Sequence, residues 1–145
     1  MEITFRQARE DDFEFLWNLH KATMKSYVDE IWGWNEEFQK EYFNNRFGPI
    51  NIELIIYENA RIGAIEIRDR ENELFVANFE ILPQFQNKGI GSTILKRIIN
   101  NSGNKQKFLK LQVLKVNPAK RLYKRFGFKI VGKTETHFIM ERRVA

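Results

Sequence analysis

The run Gln86-Asn87-Lys88-Gly89-Ile90-Gly91 stands between an apolar stretch that reads as a strand and a stretch that reads as an amphipathic helix. No other feature limits the possible folds as much. Its two glycines let the backbone curl tightly and approach a ligand with no Cβ in the way. The first N–H groups of the helix that follows have no intrahelical partner, and they point the same way as the positive end of the helix dipole. A strand, a glycine turn and a helix in this order therefore make an anion site suited to a pyrophosphate, to which Lys88 adds a formal charge. The turn is not a P-loop, because no Gly-Lys-Ser/Thr follows at the required spacing. Nor is it a dinucleotide fingerprint, since Ile94 occupies the place of the third glycine.

The rest of the chain reads as alternating elements around that turn. Residues 3–8 form a first strand, and Glu10-Asp11-Asp12 open a helix where the dipole favours acidic side chains. That helix carries Phe13, Leu16, Trp17 and His20 on one face. The stretch from Tyr27 to Trp34 breaks its pattern at Gly33, a second helix spans 35–44, and Gly48-Pro49 ends it. Strands follow at 52–57, 62–69 and 74–82, joined by Glu58-Asn59-Ala60-Arg61 and Arg70-Glu71-Asn72-Glu73 as hairpin turns. A helix over 89–100 puts Ile90, Ile94, Leu95, Ile98 and Ile99 along one side. After a strand at 108–114, a helix at 118–126 has Asn117 as N-cap, Pro118 in the tolerated first position and Gly127 as a left-handed C-cap. Strands at 128–131 and 136–141 close the chain. The order βαα-βββ-α-β-α-ββ gives one α/β (α+β) domain over 1–145, with a mixed sheet and helices on its faces.

Charge is divided along the chain. Up to Phe85 there are 9 Lys+Arg against 17 Asp+Glu, whereas 86–130 holds 12 Lys+Arg and no acid. Such a division suits an anion site beside a cation site. The 145 residues contain no cysteine, which excludes disulfides, cysteine-ligated zinc and an acyl-cysteine intermediate. No signal peptide and no membrane-length apolar run is read, so a soluble, cytoplasmic protein is expected.

A second motif sharpens the reading. Asn117-Pro118-Ala119-Lys120-Arg121-Leu122-Tyr123 leads into Arg125-Phe126-Gly127-Phe128. With the glycine turn upstream, the chain resembles the GCN5-related N-acetyltransferase superfamily over nearly its whole length. The resemblance implies a mixed, mostly antiparallel sheet whose central strands splay, with acetyl-CoA lying in the V that results. Backbone groups of Ile81, Leu82 and Pro83 would pair with the pantetheine amides, a ligand acting as an added strand. An N–H near Ile81 or Leu82 would hold the developing oxyanion. Gln86, Asn87, Lys88, Gly89, Ile90, Gly91 and Ser92 would hold the pyrophosphate, and Asn117 the cofactor arm. Tyr123 falls on the family's usual general acid. A phenol with a pKa of about 10 and a thiol near 8.5 make proton transfer to the leaving sulfur close to balanced.

The general base is less well marked. Many members carry a Glu on the strand before the Asn, but Gln112 stands there, so that role does not carry over. Glu80, beside the cofactor strand, is the candidate that remains and Glu66 the second, although both positions read more readily as surface carboxylates. His20 and His137 read as ordinary helix and strand residues. Tyr27, Trp32 and Trp34, in the segment that commonly lines the acceptor pocket in this family, are the candidate acceptor wall, their aromatic faces suited to an ammonium ion.

The expected activity is direct acetyl transfer from acetyl-CoA to a primary amine in a ternary complex, with no metal. The acceptor is a small-molecule or peptide amine, cationic, on a monomer or homodimer; neither a nucleic acid nor a membrane is an expected partner. A non-catalytic acyl-CoA sensor is the alternative, and it would not need Tyr123. Nucleic-acid binding, suggested by the basic half, ranks last because interleaved aromatics for base stacking are lacking.

Overall fold

Glu58 and Asn59 both take positive φ, 50° and 64°. They form a two-residue turn between β2 (Ile52–Tyr57) and β3 (Ala60–Asp69), tighter than the four-residue turn expected. A turn of this hand matches the twist of the strands it joins. The computed structural model describes residues 2–143. Its element order is the expected one: β1 (Ile3–Gln7), α1 (Phe13–Trp32), α2 (Glu36–Arg46), β2, β3, β4 (Glu73–Ile81), α3 (Ile90–Lys105), β5 (Phe108–Leu114), α4 (Ala119–Arg125), β6 (Lys129–Lys133) and β7 (His137–Arg142). The seven strands make one sheet in the order β1-β2-β3-β4-β5-β7-β6. It is mostly antiparallel, and β4 with β5 is the parallel pair.

The chain divides into two compact units. The first comprises the chain up to Glu66 with Asn78–Phe85. Its core gathers Ala8, Leu16, Leu19, Leu54 and Ala64, with Phe15, Phe43, Phe47, Ile52, Ile56 and Leu82 packed around them. Here α1 departs from the sequence reading. It continues through Tyr27 to Trp32, because nothing before Gly33 prevents a helix. Asp29 shapes the exit: its carbonyl accepts the Gly33 N–H at 3.0 Å and its Oδ1 accepts the Trp34 N–H at 3.0 Å. Asn35 caps α2 by accepting the Phe38 N–H at 2.9 Å.

The second unit comprises Ile67–Ala77 and the chain from Gln86 onward. Helix α3 buries Ile90, Ile94, Leu95 and Ile98, as its periodicity predicts, but it runs five residues past the expected end at Asn100. The run Asn100-Asn101-Ser102-Gly103 resembles a stop signal, yet Ser102 is buried and its hydroxyl donates to the Lys107 carbonyl. Gln106 then ends the helix in the left-handed region, φ 55°. The ladder between β4 and β5 holds four pairs, from Glu73 opposite Phe108 to Val76 opposite Leu111, in strands nine and seven residues long. No helix among the described residues is long and apolar enough to cross a membrane.

Candidate active site

Glycine is required in β3 as well as in the loop. A Cβ on Gly63 would collide with the carbonyl oxygen of Glu80 and stand 3.1 Å from the Cα of Ile81. Only a bare backbone lets the end of β4 come this close. Immediately beyond, the Leu82 N–H donates to the Ile62 carbonyl at 2.8 Å. That donor is therefore engaged in the sheet, which removes Leu82 from the pair of N–H groups considered for an oxyanion. Pro83 opens a short 3-10 turn ending at Phe85, whose ring meets Tyr57 edge-on at 6.2 Å.

Glu80 is not the surface carboxylate the strand pattern suggested. It is 5 % exposed. Its Oε2 receives Nδ1 of His20 at 3.0 Å and the Thr23 hydroxyl at 2.9 Å, and Asn78 Nδ2 donates to Oε1 at 3.0 Å. His20, read from sequence as an ordinary helix residue, thus belongs to a half-buried polar cluster around buried Glu80, supplied by α1 and β4. Three-residue spacing puts His20 and Thr23 on one face of α1, and a two-residue step puts Asn78 and Glu80 on one face of β4. Glu66 is half-buried in β3, and Gln112 is exposed in β5 opposite Ile139. His137 lies in β7 with Nδ1 2.8 Å from the Thr136 hydroxyl, and burial holds its pKa down.

In the second unit, Asn87 and Gly89 both lie in the left-handed region, φ 61° and 84°. Gly89 is the N-cap of α3, and among the described residues no side chain caps that end. A Cβ on Gly89 would meet nothing within 4 Å. An uncapped helix N-terminus opening on empty space fits an anionic group approaching the backbone. Asn87, Lys88 and Gly89 are exposed, whereas Ile90 is buried as part of the α3 core face.

The spacing of Tyr123, Gly127 and Phe128 has a structural cause. The Phe128 N–H reaches the Tyr123 carbonyl at 3.1 Å and the Gly127 N–H the Lys124 carbonyl at 3.1 Å, with Gly127 at φ 91°. This is a Schellman cap, and the contact that accompanies it is the Tyr123–Phe128 ring pair at 5.6 Å. Burial pushes the Tyr123 phenol up to about 12. Burial disfavours the phenolate, so the ring keeps its proton until a base is presented to it. Asn117 accepts the Ala119 N–H on its Oδ1 at 2.9 Å in a turn ahead of α4; the N-cap is Pro118 rather than Asn117 as expected, and the helix begins one residue later.

The acceptor wall looks different from its sequence reading. Tyr27 and Trp32 are helical, and Trp32 is 58 % exposed. Trp34 stacks on Trp17 at 6.0 Å, has Lys25 5.9 Å from its ring and donates its indole N–H to Glu36 at 2.9 Å. In this arrangement a lysine stands over its ring. Sequence reasoning also missed Asp12. This residue is buried, held by Arg6 through both oxygens at 3.0 and 3.1 Å and by Arg61 at 3.0 Å. The Arg6 hydrogen bond foremost brings its pKa down to about 2.

The sequence model of the acetyltransferase (GNAT) domain matches residues 51–130, more than half of the chain, and the protein belongs to that family. Its fold is that of solved acetyltransferases at low identity. The PaiA N-acetyltransferase of Thermoplasma acidophilum, in complex with coenzyme A, is 21 % identical over 99 % of both chains with a TM-score of 0.80. The ribosomal-protein-S18-alanine N-acetyltransferase of Escherichia coli is 16 % identical over 99 % of this chain and 95 % of that one, TM-score 0.73. Arabidopsis thaliana Naa50, in complex with the bisubstrate analogue CoA-Ac-MVNAL, is 16 % identical over 98 % and 99 %, TM-score 0.69. No curated protein matches the chain by sequence.

Proposed function

We propose that this chain is an acetyl-CoA-dependent N-acetyltransferase, one catalytic domain that transfers an acetyl group to a primary amine by direct attack with both substrates bound. The observation that carries the reading is the uncapped N-terminus of α3, entered through left-handed Asn87 and Gly89, in a member of an acetyltransferase family. Acetyl-CoA supplies the activated thioester. Gln86 to Ser92 receive its pyrophosphate on backbone N–H groups, and Lys88 within this run adds a formal charge. Ile81 and Pro83 present backbone to the pantetheine arm, and Asn117 contributes its amide. Tyr123, whose phenol keeps its proton at any working pH, donates a hydrogen bond to the sulfur as negative charge gathers there.

The acceptor is an amine. The names of the E. coli and Arabidopsis proteins put peptide amines beside small ones, and the first unit, with 7 Lys+Arg against 14 Asp+Glu, favours a cationic molecule. Calorimetry on Gly89→Glu tests the cofactor site. A side chain there is strained at φ 84°, and its carboxylate takes the position of the phosphates. Acetyl-CoA binding should be lost while circular dichroism stays unchanged; unaltered binding would refute the site.

A further inference from the structure

A buried carboxylate is costly unless it is fully hydrogen-bonded. Glu80 meets that condition through donors on His20, Thr23 and Asn78. An ionised carboxylate only accepts, so Nδ1 of His20 must carry the proton of that bond. The neutral ring then has its lone pair on Nε2. The ring's hydrogen bond to Glu80 runs through Nδ1, and 24 % of the side chain stays exposed. The ring is steadied by Trp17 at 6.3 Å and Phe43 at 5.3 Å. Glu80 is the formal charge in contact with it: α2 presents the Phe43 ring, and the neighbouring Lys21 turns to Glu36 at 3.0 Å. In sequence Glu80 directly precedes Ile81, whose backbone meets the pantetheine arm in the acetyltransferase reading.

We infer that Nε2 of His20 takes the proton from the acceptor amine, and that Glu80, held by Thr23 and Asn78, is the positioning residue that sets the tautomer and angle of the ring. The inference rests on the acetyltransferase reading. The acceptor R–NH3+ gives one proton to Nε2. The nitrogen lone pair forms the C–N bond at the thioester carbonyl carbon, and the C–S bond breaks with its electron pair leaving on sulfur. The surplus proton on nitrogen ends on that sulfur, giving amide and free thiol. His20 returns its proton to water.

The test uses the full chain, acetyl-CoA and the best acceptor among butylamine, 1,4-diaminobutane and the tripeptide Ala-Ala-Ala, read by released thiol. His20→Gln should lower kcat by roughly 10²–10⁴-fold. It should abolish the acid limb of the kcat/KM against pH profile and leave the acetyl-CoA Kd unchanged. Glu80→Gln should retain the limb but displace it, with a smaller fall in kcat. Imidazole added to His20→Ala should restore part of the rate. On the wild-type protein, nitrogen-15 NMR should find the neutral ring protonated on Nδ1, a measurement that needs no variant to fold. An Nε2–H tautomer, or a His20→Gln enzyme with wild-type kcat and its acid limb intact, overturns the inference while acetyl-CoA binding stands. Failure of the wild type to bind acetyl-CoA overturns the acetyltransferase reading and this one with it.

Discussion

The two units handle charge in opposite ways. The first carries 7 Lys+Arg against 14 Asp+Glu, the second 17 against 5. Yet among the described residues both buried carboxylates, Asp12 and Glu80, belong to the acidic unit, and Ser102 is the buried polar residue of the basic one. In the first unit, charge taken out of water is bound to specific partners, so its effects are local and survive salt. In the second, charge stays at the surface and acts over distance, where ions screen it. Net charge alone would have assigned both halves the same kind of role with opposite sign.

The largest expected effect falls on the interior of the first unit. Gly63→Ala drives a methyl group into the Glu80 backbone, which cannot rotate away as a side chain would. Urea unfolding should show a loss near the upper end of the overpacking range, about 3 kcal/mol. A neutral result would mean that β3 and β4 need no close approach there. Next comes the second unit. Tyr123→Phe keeps the Phe128 contact and removes one donor, worth about 1.5–3 kcal/mol toward a charged acceptor, so single-turnover transfer should slow by roughly 10- to 150-fold. Because burial raises this phenol to about 12, no alkaline limb belonging to it should appear below that pH. An unchanged rate leaves Tyr123 as part of the helix cap alone.

Asp12 sharpens the comparison from the side of pH. Its folded pKa is lowered to about 2, so the ionised form adds stability that is complete above the ordinary carboxylate range and is lost as pH falls from about 4 toward 2. The contribution is about 2 kcal/mol, and Asp12→Asn should lack that part of the acid dependence. Parallel acid unfolding of variant and wild type would show that the Arg6 and Arg61 contacts hold nothing. The smallest effect is salt. Raising ionic strength from 0.05 to 0.5 M should weaken acetyl-CoA binding several-fold by screening the basic surface, and should hardly change the Asp12 contribution.

These contrasts explain what was legible in the sequence. Element order could be read because it rests on local signals: the 3.6-residue period of Ile90, Ile94, Leu95 and Ile98, or Gly127 after Arg125. The glycine turn was readable for the same reason. Glu80 and His20 are sixty residues apart, and no local pattern marks a strand carboxylate as buried when its partners come from a distant helix. Asp12 read as a helix-opening acid because Arg61, one of its partners, belongs to another strand. Two signals could have been used: Gly63 in mid-strand points to close backbone approach, and His20 with Thr23 forms a polar pair on an otherwise apolar helix face.

The path of the chain through the first unit has a consequence for synthesis. That unit is left at Glu66 and re-entered at Asn78. A nascent chain that has just passed Glu66 already holds His20, Thr23 and Gly63, but neither the carboxylate that binds the first two nor the carbonyl that Gly63 accommodates. The apolar residues of α1 are made early, and the segment that completes their unit is made some sixty residues later. Folding on the ribosome therefore cannot finish from the amino end in order. This unit must wait until Phe85 has cleared the exit tunnel.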